Sequence, residues 1–385
     1  MKKRKLLILT VVGFVAGGLL AEEQNRPNRL MVKGNPLSIV NTVRTGYDDN
    51  PYRNEDSDGS FFIEDSLDLA YRAALSARTD ASIKVRLNAD SDDEDNGFYP
   101  NVHGVLNHAV SPRLLLQFFD TLRRGNRNGD VDNENERADY WNNKVGLNAD
   151  YVLTSKDRLG VSASHQFEDN DNISDIYDYV RYNVGASWSR ELLPDRTQLS
   201  LNYDRAMIDY DKLSDYDADS VYGKIGHTFN PNWNGYALAG ATYVTRDGRD
   251  NTAEPKFGAG LAWLPSPRTR LSVDGSYSYE QTDNSEYSGQ TQTEVSLGVE
   301  HDLTARITLK SAFRYRHSDY DDDDRNYGWD EGDTEDDRYE WDTRVSYKIN
   351  RINFVELGYK YAEKDSDTSD DWDQNRVSIG WRVEI

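Results

Sequence analysis

Apolar and polar residues alternate along two stretches of the segment 266–306. Alternation with a period of two is typical of β-strands whose two faces meet different surroundings. A polar loop, 282–289, joins the two stretches, and short polar turns at Ser266 and Thr304 bound them. The pattern therefore predicts a hairpin of two long strands, with a long loop at one end and a short turn at the other.

The hairpin recurs along the chain at intervals of roughly 40 residues, a period typical of arrays and closed sheets. Each short turn leads into an arginine or, once, a tryptophan: Arg113, Arg158, Arg196, Trp233, Arg268, Arg306 and Arg351. Short turns always fall at one end of the hairpins and long acidic loops at the other. This asymmetry favours an outer-membrane barrel with short periplasmic turns and long external loops. A propeller, the alternative, requires more turns per repeat.

The chain predicts an all-β fold, a closed antiparallel transmembrane barrel of eighteen strands. The strands are predicted to begin near Leu37, Phe61, Ala81, Pro100, Arg113, Tyr140, Arg158, Tyr177, Arg196, Ala218, Trp233, Lys256, Arg268, Thr291, Arg306, Tyr339, Arg351 and Asp373. Sixteen strands are the alternative, because the strands that begin near Leu37 and Pro100 alternate weakly. An even number of strands places both termini in the periplasm.

The alternation also predicts which face of each strand meets lipid. In the last strand Val377, Ile379 and Trp381 share one face, while Arg376 and Arg382 share the other. An Arg or Lys that faces lipid at mid-depth costs about 2–4 kcal/mol, so the apolar face must point outward. Eighteen strands also enclose too wide a space for a dry core of side chains. The predicted lumen residues are Lys84, Arg86, Arg181, Lys310, Arg314, Arg344 and Arg376, with Asp68, Asp150, Asp274, Glu294 and Glu300.

Aromatic residues cluster toward both ends of the predicted strands, as in the aromatic girdles at the two headgroup levels of a bilayer. Those near the short turns are Trp188, Phe229, Trp233, Trp263 and Trp381. Those near the loops are Phe167, Tyr210, Tyr279, Tyr315, Trp341 and Tyr361. The general preference of aromatic residues for strands is the alternative explanation.

The N-terminal residues predict export from the cytoplasm. A basic start, an apolar run from Leu6 to Leu20 and a small residue at Ala21 indicate a signal peptide over residues 1–21. Residues 22–36 are then a periplasmic lead, and residues 37–385 are the barrel. The chain has no cysteine, which excludes disulfides and lipid attachment through a thiol. Its net charge of −23 excludes nucleic acid as a partner, because nucleic-acid binding requires a basic patch.

Two stretches of the sequence carry a resemblance to a known family. They are Gly46-Tyr47-Asp48-Asp49-Asn50-Pro51-Tyr52, followed by Phe61-Phe62-Ile63-Glu64-Asp65, and the terminal Gly380-Trp381-Arg382-Val383-Glu384-Ile385. With the repeated hairpins they resemble the outer-membrane β-barrel porin family, some of whose members are linked to exopolysaccharide export. The resemblance implies contact with outer-membrane lipid and the barrel-assembly machinery, and no catalytic residues. Such barrels usually end in an aromatic residue, and this chain departs from that pattern at Ile385.

Two acidic segments are candidate cation sites. Asn54, Asp56, Asp58 and Asp65 match ligand positions of a calcium-binding loop, and Gly59 matches its turn position. Flanking helices are missing, however, and Asp65 replaces the usual Glu. The segment 318–338 is denser still in acidic residues, among them Asp321, Asp322, Asp323 and Asp324. Such a density of like charge needs counter-ions or water. Each segment predicts either a solvated acidic loop or a divalent-cation site.

The sequence offers no constellation for catalysis. No two of the six histidines have the spacing of a metal pair on a helix, and no G-x-S-x-G motif occurs. We therefore expect no enzyme and no resident cofactor. The leading hypothesis is a porin-like channel for small hydrophilic solutes or an exported polysaccharide. The alternative is a non-conducting surface barrel whose acidic loops bind divalent cations or partners.

Overall fold

The computed structural model describes residues 36–51, 53, 58–91, 96–127, 138–170, 178–211, 215–246, 251–280, 290–320, 335–367 and 371–385. The predicted signal peptide and most of the predicted lead, residues 1–35, lie outside these ranges. In the described part of the chain, no helix is long and apolar enough to cross a membrane.

The described residues form eighteen β-strands. In chain order these are β1 (Leu37–Asp48), β2 (Ser60–Ser76), β3 (Thr79–Ser91), β4 (Asn96–Ser111), β5 (Leu114–Arg127), β6 (Ala138–Val152), β7 (Asp157–Asn170), β8 (Tyr179–Leu193), β9 (Thr197–Tyr210), β10 (Tyr216–Asn230), β11 (Trp233–Arg246), β12 (Thr252–Ser266), β13 (Thr269–Glu280), β14 (Gln290–Asp302), β15 (Ile307–Tyr320), β16 (Glu335–Lys348), β17 (Asn353–Ser366) and β18 (Trp372–Glu384). The predicted number of strands is confirmed, and each strand begins within four residues of its predicted start. The alternative of sixteen strands is therefore wrong.

The strands close into one antiparallel barrel. Each strand pairs with its neighbours in the sequence, and β1 pairs with both β2 and β18. The closing register runs from Val40 opposite Glu384 to Asp48 opposite Arg376. Closure follows from the surroundings, because backbone N–H and C=O groups in lipid find no partner at an open sheet edge. The fold predicted from the alternation is therefore confirmed.

The outer face of the barrel is apolar. Residues directly opposite each other on neighbouring strands share a face, and the register links Trp381 to Val355 and Ile379 to Leu357. These residues are exposed, with 57% of Val377 and 51% of Ile379 accessible. Near the short turns Trp233 and Trp263 stack on this face with ring centroids 4.9 Å apart. A surface of this kind suits contact with lipid.

Two aromatic residues of the predicted loop-end girdle lie elsewhere. Tyr279 is only 5% exposed and belongs to a buried cluster, and Tyr210 packs against the same cluster. The girdle prediction is wrong for these two, because their side chains pack in or against this cluster and not on the lipid-facing surface. By contrast, 51% of Trp341 is exposed on the outer face.

A hydroxyl or amide oxygen closes most of the short turns. The Oγ1 of Thr304 accepts hydrogen bonds from the backbone N–H groups of Arg306 and Ile307, at 3.1 and 3.0 Å. The corresponding side-chain acceptors at other turns are Ser76, Ser111, Thr154, Asn230, Ser266 and Asn350. These bonds satisfy backbone donors that the ladders leave free, as in ST- and Asx-turns. The short turns are therefore built by a Ser, Thr or Asn that accepts from the backbone N–H two positions later.

Candidate functional site

The register places the predicted lumen residues on one face of the sheet. Arg376 lies opposite Lys360, and the pairing continues through Asp342 to the neighbouring strands. Followed round the barrel, it puts Lys84, Arg86, Arg181, Asp274, Glu294, Lys310, Arg314 and Arg344 on the face of Arg376. Asp68, Asp150 and Glu300 share this face. It is the side away from the apolar outer surface.

Most of these side chains form ion pairs across neighbouring strands. Arg86 Nε lies 2.6 Å from Asp68 Oδ1, and Lys310 Nζ lies 3.1 Å from Glu300 Oε1. Arg376 Nη2 donates to Glu64 Oε2 at 3.3 Å, and its guanidinium lies over the ring of Phe62 at 3.6 Å. The pairs couple neighbouring strands and leave much of the charge in contact with water.

The lumen faces of β15 to β18 form a basic stripe. Ten basic side chains point inward from these strands: Lys310, Arg314, Arg316, Arg338, Arg344, Lys348, Lys360, Lys364, Arg376 and Arg382. The five inward acidic side chains are Asp336, Glu340, Asp342, Glu356 and Glu384. The acidic excess of the whole chain is therefore absent from this part of the lumen.

Within and beside the basic stripe, single carboxylates serve several guanidinium groups. Glu356 is buried and lies near three of them: Arg44 at 3.3 Å, Arg382 at 3.0 Å and Arg344 at 4.0 Å. Glu340 is shared by Arg338 and Arg314, and Glu294 by Arg314 and Arg316. Each guanidinium has five N–H donors. Shared carboxylates therefore leave part of the donor capacity of Arg314 and Arg344 for water or a solute.

The lumen wall formed by β3 to β6 is rich in uncharged polar groups. A belt of amides crosses β3 to β6 near the short turns. Asn107 donates to Asp80 at 3.0 Å, Gln117 donates to Asn107 at 3.1 Å, and Asn148 donates to Gln117 at 2.9 Å. Because each amide is both donor and acceptor, the belt is ordered and remains polar toward the lumen.

The seam between β18 and β1 is fastened by the motif that carries the family resemblance. Gln374 Nε2 donates to both carboxylate oxygens of Asp48 at 2.9 Å and to the carbonyl of Asn50 at 3.0 Å. Asn375 donates to Asp49 at 3.0 Å. At Gly46 an added Cβ would lie 1.9 Å from the carbonyl oxygen of Val377, so only glycine fits the close strands. The motif therefore helps to close the barrel between β18 and β1.

At the loop end, part of the lumen is filled by a buried cluster of Tyr179, Ile208, Tyr216, Val244 and Tyr279. Ile208 is 1% exposed and Val244 is 0% exposed, although the register turns both toward the lumen. Arg246 donates to the hydroxyl of Tyr279 at 2.6 Å. Apolar and aromatic side chains therefore pack against each other at this end of the barrel.

The predicted calcium loop lies only partly in the described residues. Asn54 and Asp56 fall outside them, and Asp58 precedes β2. Asp65 lies within β2 on the outward face and accepts a hydrogen bond from Asn41 at 2.7 Å. Asp321, Asp322, Asp323 and Asp324 are also outside the described residues. Where the chain is described, no group of three or more His, Asp or Glu side chains is arranged to hold a metal. Both cation sites stay predictions.

Three of the histidines have a structural position in common. His108, His227 and His301 each contact, through Nδ1, the Oγ1 of a threonine at the start of a neighbouring strand. The threonines are Thr79, Thr197 and Thr269, and the distances are 2.9, 2.7 and 2.9 Å. These pairs recur near the short turns and support the hairpin repeat.

Several lumen residues were missed from the sequence, notably Glu356 and Lys360. Their signal was the alternation with Val355, Leu357 and Tyr359, which places them on the polar face. The alternation identifies the face, but it does not show which of the inward charges meet.

Residues 196–385 match the model of a family described as "Putative beta-barrel porin 2". Over these residues, the C-terminal part of the chain is similar to this porin family. The matched residues include β9 to β18 and thus the whole basic stripe. Family and closed barrel together identify an outer-membrane protein. None of the curated proteins matches the sequence.

Solved structures of outer-membrane barrels are similar in fold. OccK2 (OpdF) of Pseudomonas aeruginosa, solved in complex with glucuronate, is 12% identical, with 91% of this chain and 98% of that chain covered and a TM-score of 0.51. The ferric citrate transporter FecA in its unliganded form is 9% identical, with 87% and 61% covered and a TM-score of 0.50. At these identities the likeness shows the fold alone.

Proposed function

We propose that this outer-membrane barrel is a porin-like channel through which small hydrophilic solutes cross passively. The observation that carries the proposal is the exposure of charged side chains inside the barrel. The exposed fraction is 57% for the side chain of Arg86, 62% for Lys310 and 49% for Arg314. Removing such charges from water costs several kcal/mol per ion, so they favour a water-filled interior.

The width of the barrel supports the same proposal. Barrels of 16–18 strands leave an aqueous channel, whereas about eight strands leave room only for side chains. The lumen wall supplies charged groups on β15 to β18 and amides on β3 to β6, which suits solutes rich in hydroxyl or charged groups. The glucuronate bound by OccK2 is a solute of this class. An exported polysaccharide is the polymeric form of the same chemistry.

Planar-bilayer recording tests the proposal. The purified, folded barrel is added to one side of the membrane in potassium chloride, and discrete, lasting steps of current are expected. Heat-unfolded protein in the same detergent is the matched control and should give none. A folded barrel that inserts and gives no steps would contradict the channel.

The second candidate is a non-conducting barrel whose acidic loops bind divalent cations. It is favoured by the burial of lumen-facing groups at the loop end, where Asp48 is 3% and Trp372 is 5% exposed. It predicts calorimetrically detectable Ca²⁺ binding that is lost when Asp321, Asp322, Asp323 and Asp324 are all replaced by Asn. Conductance without Ca²⁺ binding would contradict this candidate.

A further inference from the structure

Lys360 is an exception within the basic stripe. Its ammonium group makes no hydrogen bond or ion pair within 4 Å to any described residue, whereas Lys310 and Lys364 each lie 3.1 Å from a carboxylate. Asp342 lies directly opposite Lys360 on β16, but its carboxylate is 4.0 Å from Arg344 instead. Arg376 lies opposite on β18 and is paired with Glu64. Lys360 therefore lacks the partner that its neighbours have.

The charges around Lys360 are mostly positive. Arg53, Arg338 and Arg376 repel its ammonium group, and Glu340 attracts it. Glu340 is already shared by Arg338 and Arg314, at 3.2 and 3.6 Å. Among the described residues, the carboxylates of Glu340 and Asp342 thus lie nearest to arginines, and a further anion would offset the positive charge at Lys360.

The wall beside this ammonium group carries short side chains, although Ala362 is 0% exposed and a Cβ added at Gly358 would lie 2.6 Å from Ser378 Oγ. The inward neighbours of Lys360 along β17 are Gly358 and Ala362, which have the smallest side chains. On the next strand Arg376 is held against the ring of Phe62, so its position is fixed before any solute arrives. Arg338 lies near the ring of Trp372, at 5.5 Å from its centroid. Preorganised donors of this kind lose little conformational entropy when they bind.

We propose that Lys360, together with Arg338 and Arg376, forms an anion subsite in the lumen that holds a carboxylate or phosphate group of a passing solute. The proposal deepens the channel function and rests on it. Lysine supplies a point charge with three donors, and arginine supplies a planar fork that matches the oxygens of both kinds of anion. The acidic loops concentrate cations at the mouth, whereas this subsite acts inside the barrel on anions.

Block of single-channel current tests the subsite. Sodium phosphate or sodium succinate is added to barrels in a planar bilayer, and the half-blocking concentration is measured for each anion. Lys360→Gln should raise it about tenfold, the change expected from loss of one charge-assisted hydrogen bond. Lys360→Arg keeps the charge and should restore the block. Lys310→Gln removes an equal charge from a paired lysine of the same stripe and should change it by less than about twofold.

The outcomes separate the subsite from the channel itself. An equal effect of Lys360→Gln and Lys310→Gln would show a response to overall charge and overturn the subsite. The subsite also fails if neither anion blocks the wild type. Block by phosphate alone or by succinate alone identifies which anion it takes. If the folded barrel conducts nothing, the channel function fails, and calorimetric titration of the same protein with both salts then tests the subsite. Anion binding that is lost in Lys360→Gln would support the subsite, and no binding to the wild type would overturn it.

Discussion

At the scale of single residues, neighbouring residues of a strand face lipid and the lumen in turn. Leu297 is 45% exposed on the outer face, and Ser296 lies opposite Arg314 on the lumen side. The two residues share secondary structure and depth in the membrane, so a substitution at either differs only in the face that it changes. This pair therefore tests the face assignment with little else varied.

Replacement of Leu297 by Arg should impair assembly far more than replacement of Ser296 by Arg. The first forces a guanidinium toward hydrocarbon at a cost of about 2–4 kcal/mol, whereas the second adds a hydrated charge to the lumen. The measurement is the fraction of heat-modifiable, folded protein in outer-membrane preparations, with the wild type as reference. Equal loss for both variants would show that the faces are wrongly assigned.

The face of a residue could be predicted from the sequence, whereas its partners could not. Alternation with a period of two assigns Glu356 to the lumen, but its three arginine neighbours come from β1, β16 and β18. Arg44 is distant from Glu356 in the chain and meets it only because the barrel closes. Likewise, the missing partner of Lys360 depends on the rotamers of residues on two other strands. Such contacts arise from register and packing, which local patterns do not contain.

At the scale of elements, β1 and β18 differ from every other neighbouring pair because no turn joins them. Their seam must form between the two ends of the chain, at a larger cost in loop-closure entropy than a hairpin. Asp48 is buried there, and both of its carboxylate oxygens accept hydrogen bonds from the Gln374 amide nitrogen. A charged group buried in this way needs its partners. The side-chain bonds of the motif therefore offset part of the cost of closure.

Replacement of Gln374 by Leu should destabilise the barrel by about 1–3 kcal/mol, because the carboxylate of Asp48 loses its amide donor while staying buried. Urea unfolding followed by tryptophan fluorescence measures the change as a lower midpoint. Gln292→Leu is the matched control, since Gln292 also faces the lumen but makes no side-chain hydrogen bond to a described residue. An equal fall of the urea unfolding midpoint in both variants would show that the seam has no special role in stability.

The recurring arginines show a second limit of prediction at this scale. Their spacing located the hairpins correctly, since each strand after a short turn begins within two residues of them. Yet the contacts that close the turns come from a Ser, Thr or Asn that precedes the arginine by one or two positions at these turns. A regular spacing shows that a unit repeats, but it does not show which residue of the unit forms the bonds.

At the scale of the whole molecule, charge is distributed unevenly. The chain carries a net charge of −23, whereas the inward side chains of β15 to β18 are mainly basic. Segments such as 321–334 hold much of the acidic excess. Like charges spread over one end of the barrel repel each other less in water than they would inside the lumen. We therefore predict that the arrangement separates a cation-rich entrance from an anion-binding wall.

The orientation of the barrel in the membrane is predicted from the lengths of its connections. Strands are joined by two to four residues at one end and by four to fourteen at the other. Outer-membrane barrels place their short turns in the periplasm and their long loops outside. A protease-sensitive tag inserted at Asn284 or Asp322 should therefore be cut in intact cells, and a tag at Ser155 or Ser266 should be protected. Both kinds of tag should be cut once the outer membrane is permeabilised, which controls for tags that are hidden by folding. Cleavage of the turn tags alone in intact cells would show that the barrel has the opposite orientation. The acidic segments would then lie in the periplasm, and the predicted cation-rich entrance would lie on the inner side of the membrane.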